Sequence, residues 1–451
     1  MTVCSDVISC AKKLGVDECE SVVCTKKIIT ARITDSEIAE IKENYEKSLG
    51  VRIIHDKKIS SCQSTILKPA KLVDVALRSL QNLTKREFWK SFPAETKINV
   101  NIQKTNDQKI WQLEPSGAAD IAHQMINSAS HQKITRISGS LNVVCEEFEL
   151  QNTSHLHKTE KATYISGVIN ADSEEGIAVS GIGQASSRTL AEFDAQSVGF
   201  EAAQMCTNSI NPQRCDAGVS TIIFEPMAVG EILSFVFTPN FSLKTYSEKR
   251  SCFSEKIGSQ VAVAEFNLLD DPHVTNGLGS KAFDDEGIPT NVTQYINNGI
   301  FENTYSDSYN AFKEGTVSSG NACRPGSPLG RSSTPIPISA PHNLTIKAGV
   351  PSRDNIIKDT KNGILISRLW YTYAVNPIKG DFSCTARSGI WIIKDGQISM
   401  PAKSVRIIHG LPTLLQSISD IANNQRTVLS WAAMPVTAPS IKCENVPVVP
   451  I

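Results

Sequence analysis

No window of this 451-residue chain approaches the ~20 consecutive apolar residues that a membrane-spanning helix needs, so no such helix is expected. The segment after Met1, TVCSDVISCAKKLGV, is too polar for the apolar stretch of a secretory signal, which points to a cytoplasmic address. A basic excess is missing too. Lys and Arg number 45 against 46 Asp and Glu, and no basic patch interleaved with aromatics stands out. Nucleic acid, whose phosphates demand neutralisation, is therefore not an expected partner. The 12 cysteines never adopt CxxC spacing, which excludes the common zinc and dithiol signatures. Scattered singly in a reducing compartment, they read as small buried hydrophobes. None of the eight histidines sits in an HExxH-like setting, the D-x-D-x-D-G calcium loop is absent, and no tandem repeat occurs.

What remains is a soluble, globular composition, 40% apolar and 20% charged, on a chain long enough for two or three domains. Val3, Val7, Ile8, Ala11 and Leu14 share a helical face that Gly15 ends. From Glu18 to Leu67 the pattern alternates as an antiparallel meander, and its regular Lys, Arg, Glu and Ser positions predict one wet face. Pro69 opens a helix, Ser116–Ser130 is another, and residues 135–190 return to long strands before a helix from Leu190 to Cys206. Turn formers at Asn208–Gly218 mark a boundary, giving an N-terminal α+β domain over 1–212 and a second domain over 213–451. The first sets helices on antiparallel sheet. The second is predicted mainly antiparallel β, curled or barrel-like, with helices at Ala228–Phe237 and Leu411–Ile421.

The chemistry-bearing residues concentrate in Asn267–Gly287, where Asp270, Asp271, Asp284, Asp285 and Glu286 flank His273. Such a run can hold a hard cation or work as acid and base; as a purely structural loop it caps turns and pairs with cations. Gly277-Leu278-Gly279-Ser280-Lys281-Ala282 matches a dinucleotide fingerprint formally, but the following Asp284-Asp285-Glu286 would set carboxylates where phosphate belongs. Pairs of Cys252 or Cys323 with His273 or His342 lack any flanking signature of a thiol nucleophile.

Several blocks together resemble the TldD/PmbA family. They are EPMAVG (Glu225–Gly230), GLGSKAFDDEGIP (Gly277–Pro289), YINNGIFENTYSDS (Tyr295–Ser308), TVSSGNA (Thr316–Ala322), NPIKGDFS (Asn376–Ser383) and GIWIIKDGQIS (Gly389–Ser399). GVRIIHDKKIS (Gly50–Ser60) and EFDAQSVGFEAAQMC (Glu192–Cys206) extend the likeness over nearly the whole chain. The resemblance implies a two-branch family whose members pair as a heterodimeric protease, the TldD branch carrying zinc on an HExxxH helix. Laid on this chain, that motif falls on Ser234, Phe235 and Pro239, none of which can ligate zinc or polarise water. The later cysteine-bearing block falls on Leu429–Val436, LSWAAMPV, which has neither Cys nor Lys. The chain is thus similar to the TldE (PmbA) branch, whose older label is modulator of DNA gyrase. The resemblance implies no metal or cofactor in this chain, with zinc only in a TldD-like partner. It implies no catalytic residue of its own, and a role as subunit of a peptidase acting on unfolded or leader peptides. Asp284, Asp285, Glu286, Asn321 and Asp381 are the expected lining for substrate or partner. The alternative is a stand-alone homodimer that binds peptides as a scaffold.

Overall fold

Two tight turns in left-handed backbone start the N-terminal half. Asp35-Ser36 (φ 52° and 65°) joins β1 (Glu18–Thr34) to β2 (Glu37–His55), and Asp56-Lys57 (φ 50° and 58°) joins β2 to β3 (Lys58–Ser64). Positive φ at both central residues gives the turn twist that matches paired strands. The computed structural model describes residues 2–431 and 433–451; Met1 and Ala432, the latter inside the Leu429–Val436 block, lie outside the described residues. β4 (Arg136–Asn152), β5 (His157–Ser173) and β6 (Val179–Ser187) complete a six-stranded antiparallel sheet in the order β3-β2-β1-β4-β5-β6. Trp89–Lys104 is extended chain without strand pairing.

The period-2 rule then sorts β1 into two faces. Odd positions (Cys19, Val23, Ile29, Ala31 and Ile33) pack under four helices: Val3–Lys13, Pro69–Ser79, Pro115–Ala129 and Ala195–Thr207. Even positions were expected to be wet, and over Glu20–Ile28 they are not; only Arg32 and Thr34 at the strand's end are exposed. Glu20 is 1% exposed and Lys26 5%, as are their neighbours Arg52 (3%) and Glu146 (0%). Glu20 lies directly across from Arg52, and Lys26 directly across from Glu146. The C-terminal half closes over this face, so the alternation of charge encodes a polar interior contact rather than a solvent surface. Approach is close at Gly50, where a Cβ would lie 1.9 Å from the Ser333 carbonyl oxygen. Gly50→Ala is expected to cost about 1–3 kcal/mol, as overpacking does, read as a lowered urea midpoint.

The C-terminal half, from β7 (Gly218–Phe224) onward, is built on two larger sheets and a two-stranded one. A six-stranded sheet includes Leu268–Asp270, Leu344–Ile346 and Pro435–Ala438; a nine-stranded sheet runs from an edge at Trp370–Asn376, through β7 and Asn362–Ile366, to Gln397–Pro401. The fold class is α+β as expected, but no sheet closes, so the curled or barrel-like form is corrected to open sheets. Leu411–Ile421 is corrected as well. The helix stops at Gln416, and Ile418–Ile421 becomes a strand paired with Ile441–Pro450. Between the sheets lies an aromatic core centred on Phe241, whose ring sits 5.3 Å from those of Phe253 and Phe301 and 5.6 Å from Tyr295. Such pairs add specific edge and offset contacts to their apolar burial.

Candidate functional site

The segment after β7 carries the positions where the resemblance lays a zinc motif. Glu225 precedes a short helix, Pro226–Ile232, which continues as a π-helical turn, Leu233–Phe237, and a 3-10 turn, Thr238–Phe241. Pro at the first helical position suits the start, because its missing N–H has no intrahelical partner there. The π turn and Pro239 then change the pitch and deliver Phe237 and Phe241 to the aromatic core. Ser234 is buried with its Oγ unpartnered, Phe235 packs against the core, and Pro239 is exposed. This donor set does not fit zinc. Among the described residues no group of three or more His, Cys, Asp or Glu side chains gathers as a metal site.

What the helix does present is Glu231. Its Oε1 accepts the backbone N–H of Trp431 at 3.1 Å, and burial pushes its carboxyl up to about 7 despite that bond and the nearby Arg368. Arg368 lies against both Trp370, 3.9 Å from the ring centre, and Trp431, 5.3 Å away, and the two rings themselves sit 5.6 Å apart. Burial pulls its guanidinium down to about 10, with Glu231 working the other way. The strand after it, Trp370–Asn376, packs on the π turn and bulges between Trp370 and Tyr373. Neither Glu231 nor Arg368 stands out in the sequence. The only available signal is a lone charge inside an apolar run, as in GILISRLW.

The acidic loop is organised by a different logic. Asp284 accepts backbone N–H groups of Glu286, Ile288 and Ala322. Asp285 Oδ1 receives Lys281 Nζ and Arg331 Nε, each at 2.9 Å. Glu286 Oε1 accepts from Arg52 at 3.0 Å, while Glu20 receives both Arg52 and Arg324. Arg331 also reaches Glu160 on β5. Glycine-rich Gly277–Ser280 holds no phosphate-type cradle. Its carbonyls at Gly277, Leu278 and Ser280 accept from the buried Arg188, and a Cβ on Gly279 would meet the His342 carbonyl oxygen at 1.9 Å. Asn321, also buried, donates to Asp270 at 2.9 Å and joins this cluster. Asp381 does not: it starts a strand of the nine-stranded sheet and lies near Cys252. Asp285 borders a cavity of about 240 Å³ and Glu286 a cleft of about 650 Å³; the side chains themselves are all but sealed. His273 is turned away from the carboxylates toward Thr290, and His342 Nε2 donates to the Gly320 carbonyl. The cysteines are free thiols, and burial raises several of them, Cys323 up to about 11.

Comparison with known proteins follows the same outline. TldE from Thermococcus kodakarensis superposes with a TM-score of 0.89 at 23% identity, covering 99% of this chain and 100% of that one. A proposed modulator of a DNA gyrase from Thermotoga maritima gives 0.87 at 21%, covering 99% of each chain. Metalloprotease PmbA of Escherichia coli O157:H7 is 22% identical over 421 residues, 90% of this chain and 87% of that protein. Residues 217–449, just over half of the chain, match the model of the PmbA/TldA metallopeptidase C-terminal domain. With more than half of its residues matched to this model, the chain belongs to the PmbA/TldD family.

Proposed function

We propose that this chain is the metal-free, non-catalytic subunit of a two-chain peptidase, pairing with a TldD-like zinc subunit and walling the chamber in which an unfolded or leader peptide is held. One observation carries the reading: the helical segment that would bear the metal in the other branch places Ser234, Phe235 and Pro239 at the key positions and feeds its aromatics into the core. Zinc needs His, Cys or carboxylate donors, and a water made nucleophilic by zinc needs an adjacent base. The surface beside the segment suits pairing. The edge strand Trp370–Asn376 exposes Tyr371, Tyr373 and Val375, with Ile378 and Ile408 nearby in the fold. Tyrosine-rich apolar patches of this kind are typical of interface centres. No helix among the described residues is long and apolar enough to cross a membrane.

Purified alone, the chain is expected to carry far less than one zinc per molecule by elemental analysis and to leave an unfolded peptide uncut. Mixed with a TldD-like subunit it should co-elute and support cleavage. Stoichiometric zinc together with peptidase activity in the isolated chain would sink the proposal. A homodimer that binds peptide and ignores the zinc subunit would favour the scaffold reading instead.

A further inference from the structure

We propose that Arg368, set against the rings of the paired Trp370 and Trp431, is the anchor of a peptide-carboxylate subsite, taking the C-terminal carboxylate of a bound chain. The inference rests on the reading of the protein as a peptide-handling subunit for its choice of carrier; the need for an anion rests on the geometry alone. Arg368 is 2% exposed, its Nη2 has no hydrogen-bond partner, and no carboxylate of the described residues lies within 4 Å of it. The other deeply buried arginines have carboxylate or carbonyl acceptors, although Arg331 Nη1 makes no hydrogen bond of its own. Arg52 and Arg324 have Glu20, Arg331 has Asp285 and Glu160, and Arg188 has backbone carbonyls. A guanidinium nitrogen kept buried without an acceptor is costly, so the retention of Arg368 points to an acceptor for Nη2 that arrives from outside.

The neighbouring polar groups agree in sign. Trp370 Nε1, Thr372 Oγ1 and Ser234 Oγ are buried and unpartnered on the strand and the π turn packed against it. All of them can donate. The one carboxylate nearby, Glu231, already accepts the Trp431 N–H. Trp370 Nε1 can only donate and the two hydroxyls can donate as well as accept, so together with the guanidinium they suit an anion, and the planar fork beside the indole faces suits a planar carboxylate. Trp431 is 61% exposed, which leaves its side of the cluster open to solvent, next to the apolar edge strand.

The test uses the isolated full-length chain, with binding read by calorimetry and by tryptophan fluorescence. A short unstructured peptide with a free C-terminus is compared with its C-terminal amide, with an amidated peptide carrying one internal Glu, and with inorganic phosphate. The free acid is expected to bind about 10–100-fold more tightly than the amide, the ratio for losing a charge-assisted hydrogen-bonded pair. Arg368→Met should abolish that preference and Arg368→Lys should keep part of it, while far-UV circular dichroism confirms that both fold. Equal binding of acid and amide, a preference that survives Arg368→Met, or no binding of the free acid would overturn the subsite. So would binding of phosphate or of the internal Glu peptide as tight as that of the free acid. Zinc and cleavage assays on the reconstituted pair are separate measurements, so failure here leaves the subunit reading standing and failure there leaves this one standing.

Discussion

Asp285→Asn is expected to remove about 3–5 kcal/mol of unfolding free energy at pH 7, the usual result of deleting one partner from a buried ion pair. Asp285 is fully buried. Its Oδ1 is shared by Lys281 and Arg331, Oδ2 takes the Arg324 backbone N–H, and its own carbonyl accepts Arg324 Nε at 2.9 Å. Burial drives its carboxyl up, but Lys281 and Arg331 more than reverse this and hold it at about 2. In asparagine the single remaining oxygen carries no charge. Arg331 keeps Glu160 and Glu146, whereas Lys281 loses its only carboxylate among the described residues. Because the folded value lies below the ordinary 3.8, the charge contributes above that pH and is lost as pH falls toward about 2, so wild type and variant should converge in acid. Adding Lys281→Met to the variant should recover much of the loss, since removing both partners leaves no stranded charge. Urea curves at pH 7 provide the check, and a loss below about 1 kcal/mol would show that the network is slack.

Glu231→Gln should act in the opposite direction, raising stability by about 2–3 kcal/mol at pH 8 and by little at pH 4, at ~1.4 kcal/mol per pH unit of displaced titration. The native Glu231 titrates near 7 against an ordinary 4.5, burial being the main cause. Below 4.5 both folded and unfolded chains are protonated and no penalty exists. Between 4.5 and 7 the unfolded chain sheds a proton that the native state retains, so unfolding becomes easier as pH rises. Above 7 the penalty is complete. Glutamine keeps an oxygen for the Trp431 N–H and drops the charge. Arg368→Met should also stabilise, and the double variant should gain more than the two single gains summed, because each charge eases the burial of the other and each single variant leaves one of them without that help. Equal gains at pH 4 and pH 8 would rule out a titrating Glu231 as their source. Stability gained by erasing a polar site is the mark of a surface kept for binding.

Local pattern made the helices legible. The stripes at Val3–Lys13, Pro69–Ser79 and Pro115–Ala129 depend only on residues three and four apart; the first and third end within a residue or two of the expected places, while the second gives way to a 3-10 turn, Leu80–Asn82, before its expected end at Leu83. Strand alternation in β1 and β4 was equally readable, but the fate of its polar face was not. Glu20 finds Arg324 304 positions later, and no local pattern announces such a partner. Ile441–Pro450 went unseen because Pro447 and Pro450 argue against a strand. It nevertheless sits between β7 and Val405–Gly410, bulged between Cys443 and Val446. For the candidate site, Asp284–Glu286 was conspicuous by composition, and its burial was hidden. Glu231 and Arg368 were inconspicuous for the converse reason. Each is a single charge in an apolar segment, and only the packing of strand on helix sets them side by side.

The charged underside of the first sheet also bears on how the chain is made. The partners of Glu20 and Lys26 from the second half, Arg324 and the Leu329 carbonyl, lie 304 and 303 positions downstream. At ~5–20 residues per second they leave the ribosome roughly 15–60 s after the strand they will cover. Throughout that interval the nascent sheet must present its uncovered side to the cell. A valine-rich underside would be an adhesive surface for that long; one bearing Glu20, Lys26, Arg52 and Glu146 is hydrated and repels casual partners. The same residues that later lock the halves together thus serve first as the solubilising coat of an unfinished protein.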